Sequence, residues 1–456
     1  MDNKQTALED NKQATLELGT KPVGQLLKQY ALPAIVAMVA ASLYNMVDSI
    51  FIGQGVGGLA ISGLAITFPF MNLSSAFGAA IGVGSCTFIS MKLGQRDYAI
   101  ANKVLGNCVM LNIIVGLLFG GISLLFLDQI LRLFGASDDT LPYARDYMQI
   151  ILAGNAFTHM YFGLNAVLRS ASKPHHAMYA TIFTVVFNTI LDPIFIFGLH
   201  LGIRGAAFAT VISQVVALSW QWRLFSNKEE LLHFDYSLFR LNKPIVKNII
   251  GIGISPFAMN ACTCLVAIFF NNCLKNHGGD LAVGAYGIAN RIGFVFVIVA
   301  MGVNQGMQPI AGYNYGAQNY DRLRKVVKLA ITCATVVCTV GFLVAMLAAP
   351  LCARLFAKAE DESLINLAST AIRMMMMMFP IVGFQIVVTS FFQSIGKAKV
   401  SMFLSLSRQL LFLVPALAIF SEIWGLWGIW SAMPFSDALA TVVAAVMMKK
   451  SSVWKR

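Results

Sequence analysis

Charge is what this 456-residue chain has least of: Asp, Glu, Lys and Arg together make up 12% of it, about half the share of an ordinary soluble domain. A soluble chain of this length would divide into about three domains, and the scarcity of charge excludes that arithmetic. Cysteine occurs eight times, mostly inside apolar stretches, yet there is no Cys-x-x-Cys and no Cys/His cluster, which excludes a metal site of that type. The cysteines read as small buried hydrophobes. No Walker motif is present, so ATP hydrolysis on a phosphate loop is excluded. No Thr-Val-Gly-Tyr-Gly run supplies a carbonyl-lined filter either. About twenty polar residues precede the first apolar stretch, which is too long for a leader's hydrophobic region. That stretch is expected to stay in the mature chain.

What is abundant is apolar sequence, at 57% of residues and a mean hydropathy of +0.71. It falls into twelve segments, near 29–51, 59–90, 104–127, 147–168, 177–198, 205–225, 248–272, 281–310, 329–350, 364–392, 401–420 and 425–448. A helix crosses the hydrocarbon core with roughly 20 residues, so each segment predicts a span. The second and eighth are longer and rich in glycine or polar residues, which predicts tilt or kinks. The net charge of +12 reads as membrane orientation rather than nucleic-acid binding. With both termini inside, 24 Lys and Arg lie in cytoplasmic segments against six outside.

An offset of 222 residues repeats the chain without gaps. Leu59 and Ala60 return as Leu281 and Ala282, Gly84 as Gly306, Gly94 as Gly316 and Tyr98 as Tyr320. Lys103 and Val104 return as Lys325 and Val326, Arg132–Phe134 as Arg354–Phe356, and Pro193 as Pro415. The expected fold is an all-α polytopic membrane protein with twelve transmembrane helices in two six-helix bundles. Its parts are a cytoplasmic tail (1–21), an N-terminal bundle (22–225), a cytoplasmic linker (226–247), a C-terminal bundle (248–448) and a second tail (449–456). Six spans per half make the repeats parallel, related by a pseudo-twofold axis along the membrane normal. That arrangement suits alternating access to a central cavity, and the leading class is transport driven by an ion gradient.

Intramembrane ionisable residues are costly and mark pathways. Asn45 and Asp48 stand three apart in the first segment, and Asn188 and Asp192 four apart in the fifth, so each pair shares a helix face. Pro193 follows at once and removes a helical hydrogen bond. Both carboxylates lie near the outer ends of their spans, and if they meet, they form a site for a proton or Na⁺. The alternative is that Asn188 and Asp192 only brace a loop. Tyr44, Phe70, Tyr161 and Tyr286 are candidates to hold lipophilic cations by ring faces. Five successive methionines, Met374 to Met378, offer polarizable contacts, with Met374 and Met378 the cavity candidates and lipid or helix packing the plainer role. Arg291, Arg373 and Arg408 brace helix ends, snorkel or bind anionic lipid. His175 and His176, beside Pro174, read as turn residues. The loops GQRDY (94–98) and GAQNY (316–320) read as fold-building, with glycines relaxing the turn and Asp or Asn bonding helix ends.

With LYNMVDSIFIG (43–53), the GQRDY/GAQNY pair, NTILDPIFIFG (188–198) and GIRGAAFAT (202–210), the chain resembles the multidrug and toxic compound extrusion (MATE) transporters from about residue 22 to 448, in particular the small bacterial drug exporters. The resemblance implies a secondary transporter, not an enzyme, that exchanges amphipathic or cationic drugs and dyes for inward H⁺ or Na⁺. It implies ion coupling at Asp48, with Asn45, Asn155, Asn188 and Asp192 in the same network, and Asp48, Asn188 and Asp192 as ligands if the ion is Na⁺. Acids that some members carry in the seventh and tenth spans are missing here, where the chain reads GISPFAMNAC (253–262) and FPIVGFQIVV (379–388). Coupling is therefore expected in the N-terminal bundle, with H⁺ favoured over Na⁺. No cofactor and no nucleic acid are expected, and the partners are membrane lipids and drugs. The expected setting is a monomer in the bacterial inner membrane, multi-pass, with both termini cytoplasmic. A flippase for lipid-linked oligosaccharides is the runner-up, and a receptor or structural membrane protein the second alternative.

Overall fold

Hydrocarbon offers no partner to a backbone N–H or C=O, so an apolar chain must satisfy these groups within each segment, as a helix does. The computed structural model describes residues 12–235, 239–356 and 361–455, apart from the side chains of Asn45, Met46, Asp280 and Lys455. Among the described residues every regular element is helical. A short helix at 12–20 precedes span 1, Val23–Gly55. Spans 2 and 3 are Gly58–Gly94 and Tyr98–Leu125, and the short helix Leu127–Leu133 follows. Span 4 is Leu141–Ala153 with Asn155–Ser170, span 5 is Pro174–Gly198, and span 6 is Ile203–Ser226. Spans 7 to 9 are Lys243–Gly279, Leu281–Gly316 and Tyr320–Arg354. Span 10 joins Glu362–Met375 to Phe379–Ser394 across a 52° bend. Spans 11 and 12 share the stretch Ala398–Lys450, turned at Gly425 by a left-handed φ of 56°. The twelve expected spans are thus present, six on each side of the linker. Length and hydropathy alone undercount them because span 4 is broken at Gly154 and the last two run together.

The 222-residue repeat is written into the backbone. Arg96 and Gln318, 222 apart, both take a left-handed φ, 60° and 59°. The residue after each is a helix cap: Asp97 accepts from the Ile100 N–H at 3.1 Å, and Asn319 from the Arg322 N–H at 3.3 Å. The polar residues of GQRDY and GAQNY therefore do bond helix ends. Their glycines have another role than relaxing the turn. A Cβ on Gly94 would collide with the Tyr313 carbonyl oxygen, and one on Gly316 with that of Met91. The C-terminal ends of spans 2 and 8 thus meet backbone to backbone, each through its glycine. Alanine at Gly94 or Gly316 is expected to lower stability by about 1–3 kcal/mol through overpacking. Alanine at Gly121, which has no neighbour within 4 Å of a new Cβ, should stabilise by about 0.5–1 kcal/mol. Thermal unfolding of the purified variants reads both signs, and equal midpoints would remove the contact from the account.

Contacts divide the chain into two compact units, and the division does not fall at the linker. One unit holds residues 1–21, 36–257 and 312–318, and the other 22–35, 258–311 and 319–456. The first thirteen residues of span 1 and their repeat equivalents in span 7 have changed places. The crossings lie at Pro33 to Val36 and at Pro256 to Ala258, so each has a proline where a helix is missing one hydrogen bond. In the first unit, Gly253 lies against the Ala80 backbone; in the second, Gly302 and Gly306 lie against Ile35 and Ala31. Small residues let helix backbones approach where lipid supplies no hydrophobic drive. The linker is tied to span 3 by two asparagines. Asn102 accepts from the His233 N–H at 2.9 Å and Asn107 from the Asn242 N–H at 2.8 Å.

Candidate functional site

The polar residues of the first unit gather near one end of spans 1, 4, 5 and 6. They adjoin an apolar cluster that includes Ile52, Tyr147, Met148, Ile196 and Ala207. Asp48 is 5% exposed and Asp192 fully buried, and their carboxyls, one from span 1 and one from span 5, are in hydrogen-bond contact. Asn188, one turn before Asp192, links the pair to span 6. Its amide nitrogen donates to Asp192 Oδ2 at 2.9 Å, and its oxygen accepts from the Thr210 N–H at 2.9 Å and from Thr210 Oγ1 at 3.2 Å. Tyr44 lies 3.0 Å from the same Thr210 hydroxyl, and the buried Tyr147 stands beside it. A hydroxyl has one proton and two lone pairs. Thr210 therefore donates to Asn188 and accepts from Tyr44, and the chain of bonds runs from that phenol to the carboxyl pair. Two atoms have no partner in it: Asp48 Oδ1 and Asp192 Oδ1, both buried.

Local sequence explains the geometry. The spacing of four sets Asn188 and Asp192 on one face. After Pro193 the helix widens into a π-turn, Ile194–Gly198, a form common at functional positions. Gly55 lets span 1 approach that turn, since a Cβ there would collide with Ile196 and Phe197.

The other sequence-predicted residues lie elsewhere. The side chain of Asn45 lies outside the described residues. Asn155 accepts from Ser74 Oγ at 2.7 Å and donates to the Gly116 carbonyl at 3.3 Å, in a separate buried cluster with His159, 3.4 Å from Ser74. Phe70 is buried between Phe119 and Phe134, with ring centroids 5.6 and 5.8 Å away. Tyr161 is buried and faces Thr181 and Thr184 of span 5. Tyr286 stacks on Phe270 at 4.5 Å. Met374 and Met378 are half-buried on either side of the span 10 bend. Thr210 and Tyr147 are the residues that sequence reasoning missed as site members. Thr210 ends the GIRGAAFAT run and was legible there, whereas nothing in the spacing marks Tyr147. Asp437 was missed too. It is a buried acid of span 12, and Arg408 Nε donates to its Oδ1 at 2.7 Å.

Asp48 Oδ1 and Asp192 Oδ1 are thus the oxygens of this network left to accept a proton or a cation. Among the described residues no group of three or more His, Cys, Asp and Glu has the arrangement of a metal centre.

The chain is similar to curated drug exporters along most of its length. It is 29% identical over 408 residues to a multidrug export protein, MepA, of Staphylococcus haemolyticus, covering 89% of each chain. It is 26% identical over 427 residues to MepA of Staphylococcus aureus, covering 94% of each. Among solved structures it superposes with a TM-score of 0.91 on an outward-facing MATE-family multidrug resistance transporter of the MOP superfamily, at 25% identity, covering 97% of this chain and 99% of the other. The family model MatE matches residues 33–194 and 256–444. With its twelve helical spans and a match over most of both halves, the chain belongs to the MatE family, and is therefore a secondary membrane transporter rather than an enzyme.

Proposed function

We propose that the protein exports amphipathic, often cationic compounds across the bacterial inner membrane in exchange for an inward cation, by alternating access, with both termini in the cytoplasm. The observation that carries this reading is the contact between Asp48 and Asp192. Two carboxyls in hydrogen-bond contact in a dry site share at least one proton, since like charges at that range cannot both persist. The pair thus has a natural two-state chemistry. Loaded with a proton it is compatible with burial, and emptied it is an anionic site in search of a cation. The MepA relatives are named multidrug export proteins, which supports drugs as the exported compounds. The repeat, together with the proline-marked crossings in spans 1 and 7, supports motion of two units.

H⁺ is the coupling ion this geometry favours. Na⁺ would need several convergent oxygens freed from the bonds that now occupy them on Asn188 and Thr210. In liposomes containing a fluorescent cationic substrate, a pH gradient alone is expected to drive transport at zero Na⁺ gradient. Transport that follows a Na⁺ gradient at clamped pH and ignores a pH gradient would reverse the choice. The flippase reading needs a concentrated positive charge for pyrophosphate, and the charge of Arg408 is already matched by Asp437.

A further inference from the structure

Where span 6 leaves the membrane toward the linker, a cavity of about 360 Å³ is lined by Trp220, Arg223, Leu224, Asn227 and Glu230. From its geometry we infer that it is a binding site for the phosphate headgroup of an anionic phospholipid, a site separate from the transport machinery. Its walls are fixed. Trp220 stacks on His176 with centroids 5.8 Å apart and 15° between planes. The neighbouring Trp222 packs on Phe234 at 4.5 Å and on Phe239 at 6.1 Å, which docks the linker on the helix end. The turn that closes the cavity is held by the Glu230 N–H on the Asn227 carbonyl and the Glu229 N–H on Asn227 Oδ1, both 3.1 Å. That leaves the amide nitrogen of Asn227, a lining residue, as a donor.

The charge balance is positive. Glu230, the acid in the lining, is neutralised by Lys173 at 2.5 Å. Arg223 is exposed and makes no ion pair among the described residues. An unpaired guanidinium is a ready partner for a phosphodiester.

What selects a lipid over a soluble phosphate is the surface leading away from Arg223. Phe208, Ile212, Val216 and Trp220 are all exposed, and their four-residue spacing makes one continuous apolar stripe along span 6. It runs from the cavity toward the middle of the membrane. An acyl chain on the stripe places its headgroup at Arg223, and tryptophan is the residue expected at that depth.

The test is native mass spectrometry of the full chain extracted from nanodiscs containing equal phosphatidylglycerol and phosphatidylcholine. Wild type is expected to retain phosphatidylglycerol selectively, by at least about tenfold, and Arg223→Gln with Asn227→Ala to lose that preference, at roughly 1.4 kcal/mol per tenfold. Arg223→Lys should keep part of it, and unchanged thermal unfolding of each variant excludes misfolding as the cause. Equal retention by wild type and the double variant overturns the proposal. So does full displacement of the lipid by millimolar glycerol phosphate, which would make the cavity a soluble-anion site.

Discussion

Asp48→Asn is expected to abolish gradient-driven export while leaving the protein folded. The amide has the shape of the acid and can donate to Asp192, so the bond between spans 1 and 5 is kept in another form. A net change in stability of no more than about 1 kcal/mol follows, the worth of one hydrogen bond. What the amide cannot do is bind and release a proton. The pair then loses one of the two carboxyls between which the proton is shared, and efflux under an imposed gradient should fall to the level of empty liposomes. Purified wild type and variant, matched for monodispersity and unfolding temperature, are compared in proteoliposomes with the same dye. Wild-type efflux from the variant would remove Asp48 from the coupling step.

The second large effect is non-additivity between Asp48 and Asp192. If the two carboxyls hold one ion between them, the first neutralisation disables the site and the second adds little. A double-mutant cycle with Asp48→Asn and Asp192→Asn, read on the free energy of ion binding rather than on transport, should give a coupling energy of about 1–3 kcal/mol. Transport is the wrong readout because each single variant is already silent there. Thr210→Val provides a graded third arm. It removes the hydroxyl that Tyr44 and Asn188 address, and so should weaken ion binding less than loss of either acid. Additive effects of the two aspartates, within about 0.5 kcal/mol, would give them separate roles and return Asp192 to bracing the end of span 5.

The sequence by itself determined which segments are helices, how many there are, and that the second half repeats the first. Apolar length, the 222-residue offset and the absence of competing motifs are local or one-dimensional properties, and each was readable without a structure. It also put Asp48, Asn188 and Asp192 on defined helix faces, because a spacing of three or four fixes direction along a helix. Only the tertiary structure decided which faces meet. Tyr147 and Thr210 join the carboxyl pair from spans 4 and 6, while Asn155, an equally polar residue, is drawn to Ser74 and His159 instead. The exchange of the first turns of spans 1 and 7 between the two units was likewise invisible, although its prolines were in plain view. The physical reason is that hydropathy in a membrane protein says which residues avoid water, and lipid-facing and helix-facing surfaces avoid it equally. The neighbour of each span is chosen by close approach at Gly94, Gly253, Gly306 and Gly316, where fit between backbones, not polarity, makes the contact.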